Sequence, residues 1–277
     1  MARWEKQKIV VEETPTPITK DHIAQDLTRI GLHSGDVVVV HSSLSRIGWV
    51  VGGPVTVINA LMEVVSDEGT IVMPTHSSGN SEPSHWVAPP VPEEWWPIIR
   101  NEMPAYQSSI TPADSVGIIP EVFRGFPAVF RSMHPQASVA AWGRHAEEVV
   151  KTHRLDVAFG EDSPWGKLYD LHAKVLLLGA GHDSNTALHL AEVKAALPNH
   201  PTELQGAAVI ENGRREWKAW TEIQYYFEDF KQIGQAFEES IGYQPDKIGQ
   251  AESRLLSMRA MVDFAVNWLH ANRKYHP

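Results

Sequence analysis

Apolar runs of strand length alternate along this chain with stretches whose apolar residues recur every three or four positions, and the alternation predicts its elements. From Thr19 to Ile30, the residues Ile23, Leu27 and Ile30 share one helical face, and Gly31 stands where the helix would stop. The run DVVVVHSS, 36–43, reads as a buried strand. Pro54 to Val65 predicts a second helix opening on proline, and GTIVMPTHSS, 69–78, a second strand. KVLLLGAG, 174–181, then leads through a turn into a helix expected from about Ser184 to Leu197, with Pro198 ending it. This rhythm is that of an α/β protein whose sheet is covered on both faces.

Two regions break the rhythm. Residues 77–111 are rich in Pro, Ser and Trp without periodicity, and are read as a long loop excursion over a site, a surface insertion being the alternative. From Glu211 onward the pattern is strand-like at first and then helical, ending in the amphipathic SRLLSMRAMVDFAVNWLHANR, 253–273. There is no internal repeat. The expected organisation is a single domain, 1–277, with a loop insertion at about 77–111 and an acceptor-binding C-terminal region at about 205–277.

Composition narrows the function. With 277 residues, 43% of them hydrophobic, the chain can bury a large core. A formal net charge of -10 argues against a general basic surface for nucleic acid and suits a cationic small molecule. The absence of cysteine excludes disulfides, thiolate metal ligands and a cysteine nucleophile. The first residues lack the apolar core of a secretion signal, and no apolar run approaches the ~18 residues of a membrane span, so a soluble cytoplasmic protein is expected.

The chemistry concentrates in two stretches. In NTALHLAE, Asn185 to Glu192, helical spacing places Thr186, His189 and Glu192 on one stripe, at the carboxyl edge of a sheet where open α/β folds hold their ligands. Asp183, Ser184 or Asn185 could cap the helix. An imidazole held by a carboxylate is the usual construction of a general base, yet the same spacing occurs on solvated helix faces. Gly179 and Gly181 imitate a dinucleotide fingerprint, but Ser184 takes the third glycine position and no acidic residue closes a following strand. Fourteen histidines raise zinc as an option, without H-E-x-x-H or clustered ligand spacing to support it. The G-x-S-x-G nucleophile elbow is absent.

The second stretch runs from His41 to Leu61. Ser42, Ser43 and Ser45 follow a strand, and Gly48, Gly52 and Gly53 precede a helix whose positive end and loop amides suit phosphate oxygens, with Arg46 able to add a charge. No Walker lysine is present, and the same glycines also suit a tight strand-to-helix connection.

Together HSSLSRIG, RSMHPQASVAAWG (131–143), SPWGKL (163–168) and LLLGAGHDSNTALHLAE resemble, in order, the blocks of the aminoglycoside 3-N-acetyltransferase family over about Ile18 to Pro198, with a weaker match beyond. The resemblance implies a three-layer α/β/α sandwich around a central mixed, largely parallel sheet, with acetyl-CoA as donor and an amine acceptor in a cleft beside it. It carries the family's HxxE block onto His189 and Glu192 and its CoA-binding loop onto Ser42, Ser43, Leu44, Ser45, Ile47 and Gly48. His41, Gly52, Gly53, Thr75 and Ser77 complete the candidates for acetyl-CoA, and Ser132 and His134 help to shape the cleft.

On this reading His189 deprotonates the substrate amine and Glu192 orients its ring, while Thr186 or a backbone amide between Thr75 and Ser77 receives the oxyanion. No metal is required. Between Thr221 and Ser240, Glu222, Glu228, Asp229, Glu238 and Glu239 face a single lysine, Lys231; the segment would attract a polycationic aminosugar or form an ordinary solvated helix face. The expected partner is a small-molecule amine, not nucleic acid or membrane, with room left for a homodimer. A CoA-binding module without turnover, acetylation of a different small amine, and a metal-dependent hydrolase stay open as alternatives.

Overall fold

The computed structural model describes residues 3–276. Helices α1 (Arg3–Glu13) and α2 (Lys20–Arg29) precede β1 (Val37–Ser42), and α3 (Leu44–Ile47) and α4 (Pro54–Val65) lead to β2 (Thr70–Pro74). Then come α5 (Trp96–Glu102), α6 (Ile118–Phe123), β3 (Phe130–Arg131), β4 (Val139–Gly143), α7 (Ala146–Val150), α8 (Pro164–Asp170), β5 (Lys174–Leu178) and α9 (Leu188–Ala195). The chain continues through β6 (Thr202–Glu211), β7 (Arg214–Ile223), α10 (Phe230–Ile241), β8 (Asp246–Ile248) and β9 (Ala251–Ser257) to α11 (Met258–Asn272).

Period-two burial along the strands creates three layers. Val38, Val40, Ile71, Met73, Leu176 and Leu178 pack under α2, α4 and α6, whereas Val39, Val72, Val175 and Leu177 pack on the other face against α8, α9, α10 and α11. Each such side chain, taken fully out of water, contributes about 1.5–3 kcal/mol. The α2 boundaries follow from local chemistry: the Thr19 side chain accepts the His22 amide at 3.3 Å, and Gly31 leaves the helix at φ +99°.

The sheet runs in the order β3-β4-β2-β1-β5-β9-β8. It is mixed, but parallel pairing is confined to β2–β1–β5, and the other four pairings are antiparallel, so the expectation of a largely parallel sheet is corrected. Parallel neighbours need a long crossover, which α4 supplies between β1 and β2. β8 and β9 are instead joined by Gly249 and Gln250 alone, a hairpin that forces antiparallel pairing.

Three further expectations change. Residues 253–257 are strand, not helix, because they complete β9 against β5 before Ser257 caps α11. β6 and β7 form a separate two-stranded ribbon turning at Asn212-Gly213, both with positive φ. The 77–111 excursion does not roof the main cavity: it folds over α5 onto this ribbon, with Tyr106 N–H donating to the Ala208 carbonyl at 2.8 Å and Asn80 exchanging bonds with the same residue. Arg131 secures both ends of the excursion, donating to Thr75, Ser77, Ser108 and Thr111. No helix among the described residues is long and apolar enough to cross a membrane.

Candidate active site

The parallel strands β1, β2 and β5 end at one edge of the sheet, and there a cavity of about 1870 Å³ opens. Ser42 to Ser45 and Gly48 line it at the end of β1, Pro74 and His76 at the end of β2, and Gly179 to Gly181 after β5. Helix α1 and the segment Ser115 to Ile118 supply further walls. The volume exceeds the ~300–1,000 Å³ of a typical single-ligand pocket.

His189 and Thr186 line this cavity together, as their spacing predicts. The helix begins later than expected: a 3₁₀ turn spans His182–Ser184, and α9 starts at Leu188 with no side-chain cap. Asp183, Ser184 and Asn185 are therefore not its caps, and Asn185 turns inward to donate to the Met261 sulfur at 3.2 Å.

The His189 side chain is 14% exposed, and its Nδ1 lies 2.5 Å from Glu192 Oε2, whose side chain is fully buried. The other carboxylate oxygen, Oε1, accepts from the Tyr226 amide at 3.0 Å and from Arg273 Nη1. An ionised carboxylate can only accept, so with Glu192 in that form the pairing would place the ring proton on Nδ1 and leave the Nε2 lone pair free. Phe159, Phe230 and Tyr225 fix the ring, with centroids at 4.6, 4.7 and 5.2 Å.

Two further histidines reach the cavity. Burial, reinforced by His76, pushes the His41 pKa down to about 3; burial, reinforced by His189, pushes that of His76 down to about 4. Both are thus neutral near pH 7, and the Nε2 of each is buried without a protein partner. His76 was missed by sequence reasoning, which chose its neighbours. Thr75 and Ser77 point away from the cavity: Thr75 bonds Ser138 and Arg131, Ser77 donates to the Pro112 carbonyl, and their amides are taken by the Ser138 and Gln136 carbonyls. Strand alternation, continued one step past β2, contains the signal that separates them.

Of the other acetyl-CoA candidates, His41, Ser42, Ser43, Leu44, Ser45, Gly48 and Gly53 line the cavity. Ile47 does not: it is fully buried in the core. Gly52 is also outside the lining, where its added Cβ would meet Thr56 Oγ1 at 2.6 Å. Gly48 has φ +103°, and a Cβ there would lie 2.9 Å from Gln250 Oε1. Ser42 Oγ is buried with no protein partner, a polar atom left for a ligand at the mouth of this loop.

Ser132 and His134 sit in a buried cluster outside the cavity lining, where Ser132 Oγ lies 2.9 Å from His153 Nδ1 and the His134 ring is tilted 40° against that of His153, with centroids 4.6 Å apart. The acidic segment is not one exposed face. Glu222 is buried and accepts from Trp220 and the Ala158 amide, Asp229 pairs with Arg273, and Glu238 pairs with His182 and Arg254; only Glu228 and Glu239 are exposed. Among the described residues, no group of three or more His, Asp or Glu side chains could hold a metal ion.

Residues 39–270 match the family model described as aminoglycoside 3-N-acetyltransferase. The chain belongs to the aminoglycoside 3-N-acetyltransferase family. It is an acyltransferase, as the resemblance of its sequence blocks implied. The prophage-derived aminoglycoside N(3')-acetyltransferase-like protein YokD of Bacillus subtilis (strain 168) is 48% identical over 96% of this chain and 97% of its own. The crystal structure of YokD superposes with a TM-score of 0.93, over 96% of this chain and 98% of that one. Aminoglycoside N(3)-acetyltransferase IX of Micromonospora chalcea is 34% identical over 93% of this chain and 95% of its own. A binary complex of AAC-IIIb with CoASH, 31% identical, superposes with a TM-score of 0.84 over 95% of this chain and all of that one. The two solved structures share the fold of the present chain over 96% and 95% of its length.

Proposed function

We propose that the chain transfers an acetyl group from acetyl-CoA directly to the 3-amino group of a 2-deoxystreptamine aminoglycoside, with His189 as general base. The observation that carries this reading is His189, backed by the buried Glu192, in the wall of a cavity large enough for two ligands. The CoA complex of AAC-IIIb and the named activity of the Micromonospora enzyme support the donor and the acceptor class.

An amine is mostly protonated near neutral pH and is not nucleophilic until that proton leaves. Nε2 of His189 takes the proton, the amine nitrogen attacks the thioester carbonyl carbon, and the C–S bond breaks. CoA leaves as a thiolate, a good leaving group with a thiol pKa of ~8.5 as reference, and is reprotonated to the thiol. Glu192 holds the base tautomer and offsets the imidazolium charge. The Thr186 hydroxyl, on the same cavity wall, stabilises the tetrahedral oxyanion. The Ser42–Gly48 loop and Gly53 receive the donor, with the start of α4 favouring its phosphates.

Replacing His189 by Ala tests the assignment. Thiol release from acetyl-CoA with an aminoglycoside should fall ~10²–10⁴-fold, the usual contribution of a positioned base, with acetyl-CoA affinity nearly unchanged by calorimetry. A rate within a few fold of the native enzyme would remove His189 from the reaction, and NMR of the product decides which amine is acetylated.

A further inference from the structure

We infer that Arg273 is a positioning residue of the acetyl transfer, the member that keeps Glu192 charged and aimed at His189; this rests on the reading of His189 as the base. Glu192 is 1% exposed, and a carboxylate so buried is costly unless paired. Among the described residues, Arg273 supplies it with a permanent positive charge: Nη1 donates to Glu192 Oε1, the oxygen opposite the one facing His189.

The guanidinium is itself held from several sides. Its Nε and Nη2 grip Asp229 at 2.9 and 2.5 Å, Nη2 donates to the Tyr226 carbonyl at 3.2 Å, and Tyr275 Oη lies 3.3 Å from Nη1. Tyr275 also approaches His200 Nε2 at 3.3 Å. Asp229 immediately precedes α10, whose first residue, Phe230, packs against the His189 ring. One side chain thus sets both the charge state of the orienting carboxylate and the wall that stops the imidazole from turning. Without the guanidinium, a neutral Glu192 would keep one carbonyl acceptor but lose its charge, so its hold on the Nδ1 proton and its support of the imidazolium would weaken.

Lysine cannot replace it fully, since a single ammonium lacks the planar fork that serves Glu192 and Asp229 at once. Arg273→Met and Arg273→Lys are compared with the native enzyme and with His189→Ala, measuring kcat, both KM values and the pH profile of kcat. We expect Arg273→Met to lower kcat by roughly tenfold or more, part of the base's contribution, with KM for acetyl-CoA unchanged, an altered pH profile, and partial restoration by added guanidinium. Arg273→Lys should lose less.

A kcat for Arg273→Met within about twofold of native, or a loss with an unaltered pH profile that guanidinium does not restore, overturns the inference. If Arg273→Met does not fold, Arg273→Lys decides: a kcat loss of roughly threefold or more at unchanged KM upholds it, and native kcat overturns it. Failure of the underlying reading is distinguishable, because then His189→Ala itself retains turnover.

Discussion

Glu192→Gln is nearly isosteric, yet the structure leaves the amide no satisfactory orientation. Oε2 lies 2.5 Å from His189 Nδ1 and on the proposed tautomer accepts its N–H, and Oε1 accepts from the Tyr226 amide and Arg273. If the new NH₂ faces Arg273 and Tyr226, donor meets donor at a buried position, costing about 1–3 kcal/mol for a buried unsatisfied group. If it faces His189, Nδ1 must accept, the ring proton moves to Nε2, and the base is lost. The second orientation is the less costly to the fold and the more damaging to the chemistry. The expected result is therefore a kcat fall of ~10²–10³, equivalent to about 3–4 kcal/mol of barrier, with little change in KM for acetyl-CoA. Steady-state thiol release with both substrates varied measures it, alongside a melting curve that reports the stability cost separately. A kcat within a few fold of native in a folded variant would refute the tautomer argument.

Two predictions concern other parts of the molecule. Burial pushes the Glu222 pKa from 4.5 up to about 7, partly opposed by the Trp220 and Ala158 donors. The folded state then binds the extra proton, so this group's stability contribution is fully present below pH 4.5 and is lost as pH rises to about 7, an effect of about 3 kcal/mol. Glu222→Gln should thus gain in melting temperature relative to native as pH rises from 5 to 8, and parallel curves would contradict it. Gly48→Val, forced to φ +103° and against Gln250 and Thr14, should raise KM for acetyl-CoA more than KM for the aminoglycoside; equal shifts, or none, would dissociate this loop from the donor.

The elements that could be read from sequence are those whose burial is dictated locally. Pro54 to Val65 and the strand Val37–Ser42 are legible because a single pattern, a helical repeat in the first and an apolar run in the second, marks each element. β9 was hidden by its junction with α11: the apolar residues of SRLLS run directly into the helical pattern, and only pairing with β5 makes them extended. The ribbon's first strand was overlooked although Asn212-Gly213 is a strong short-range hairpin signal. In the site, His189 and Glu192 were accessible because their relation is helical and three residues long. Arg273 lies 81 residues from Glu192, and no local pattern announces such a pairing. His76 was one position from two residues that were chosen, and in extended chain one position is the difference between cavity and core.

The cavity walls come from the ends of β1, β2 and β5, three segments far apart in the chain that meet only in the finished sheet. No fragment of the chain contains the pocket, so ligand occupancy and global folding are thermodynamically linked. A ligand at a hundredfold excess over its dissociation constant adds about 2.7 kcal/mol to the whole domain rather than to a loop. Occupancy of this crevice therefore governs how long the native molecule survives heat and proteolysis as well as its turnover.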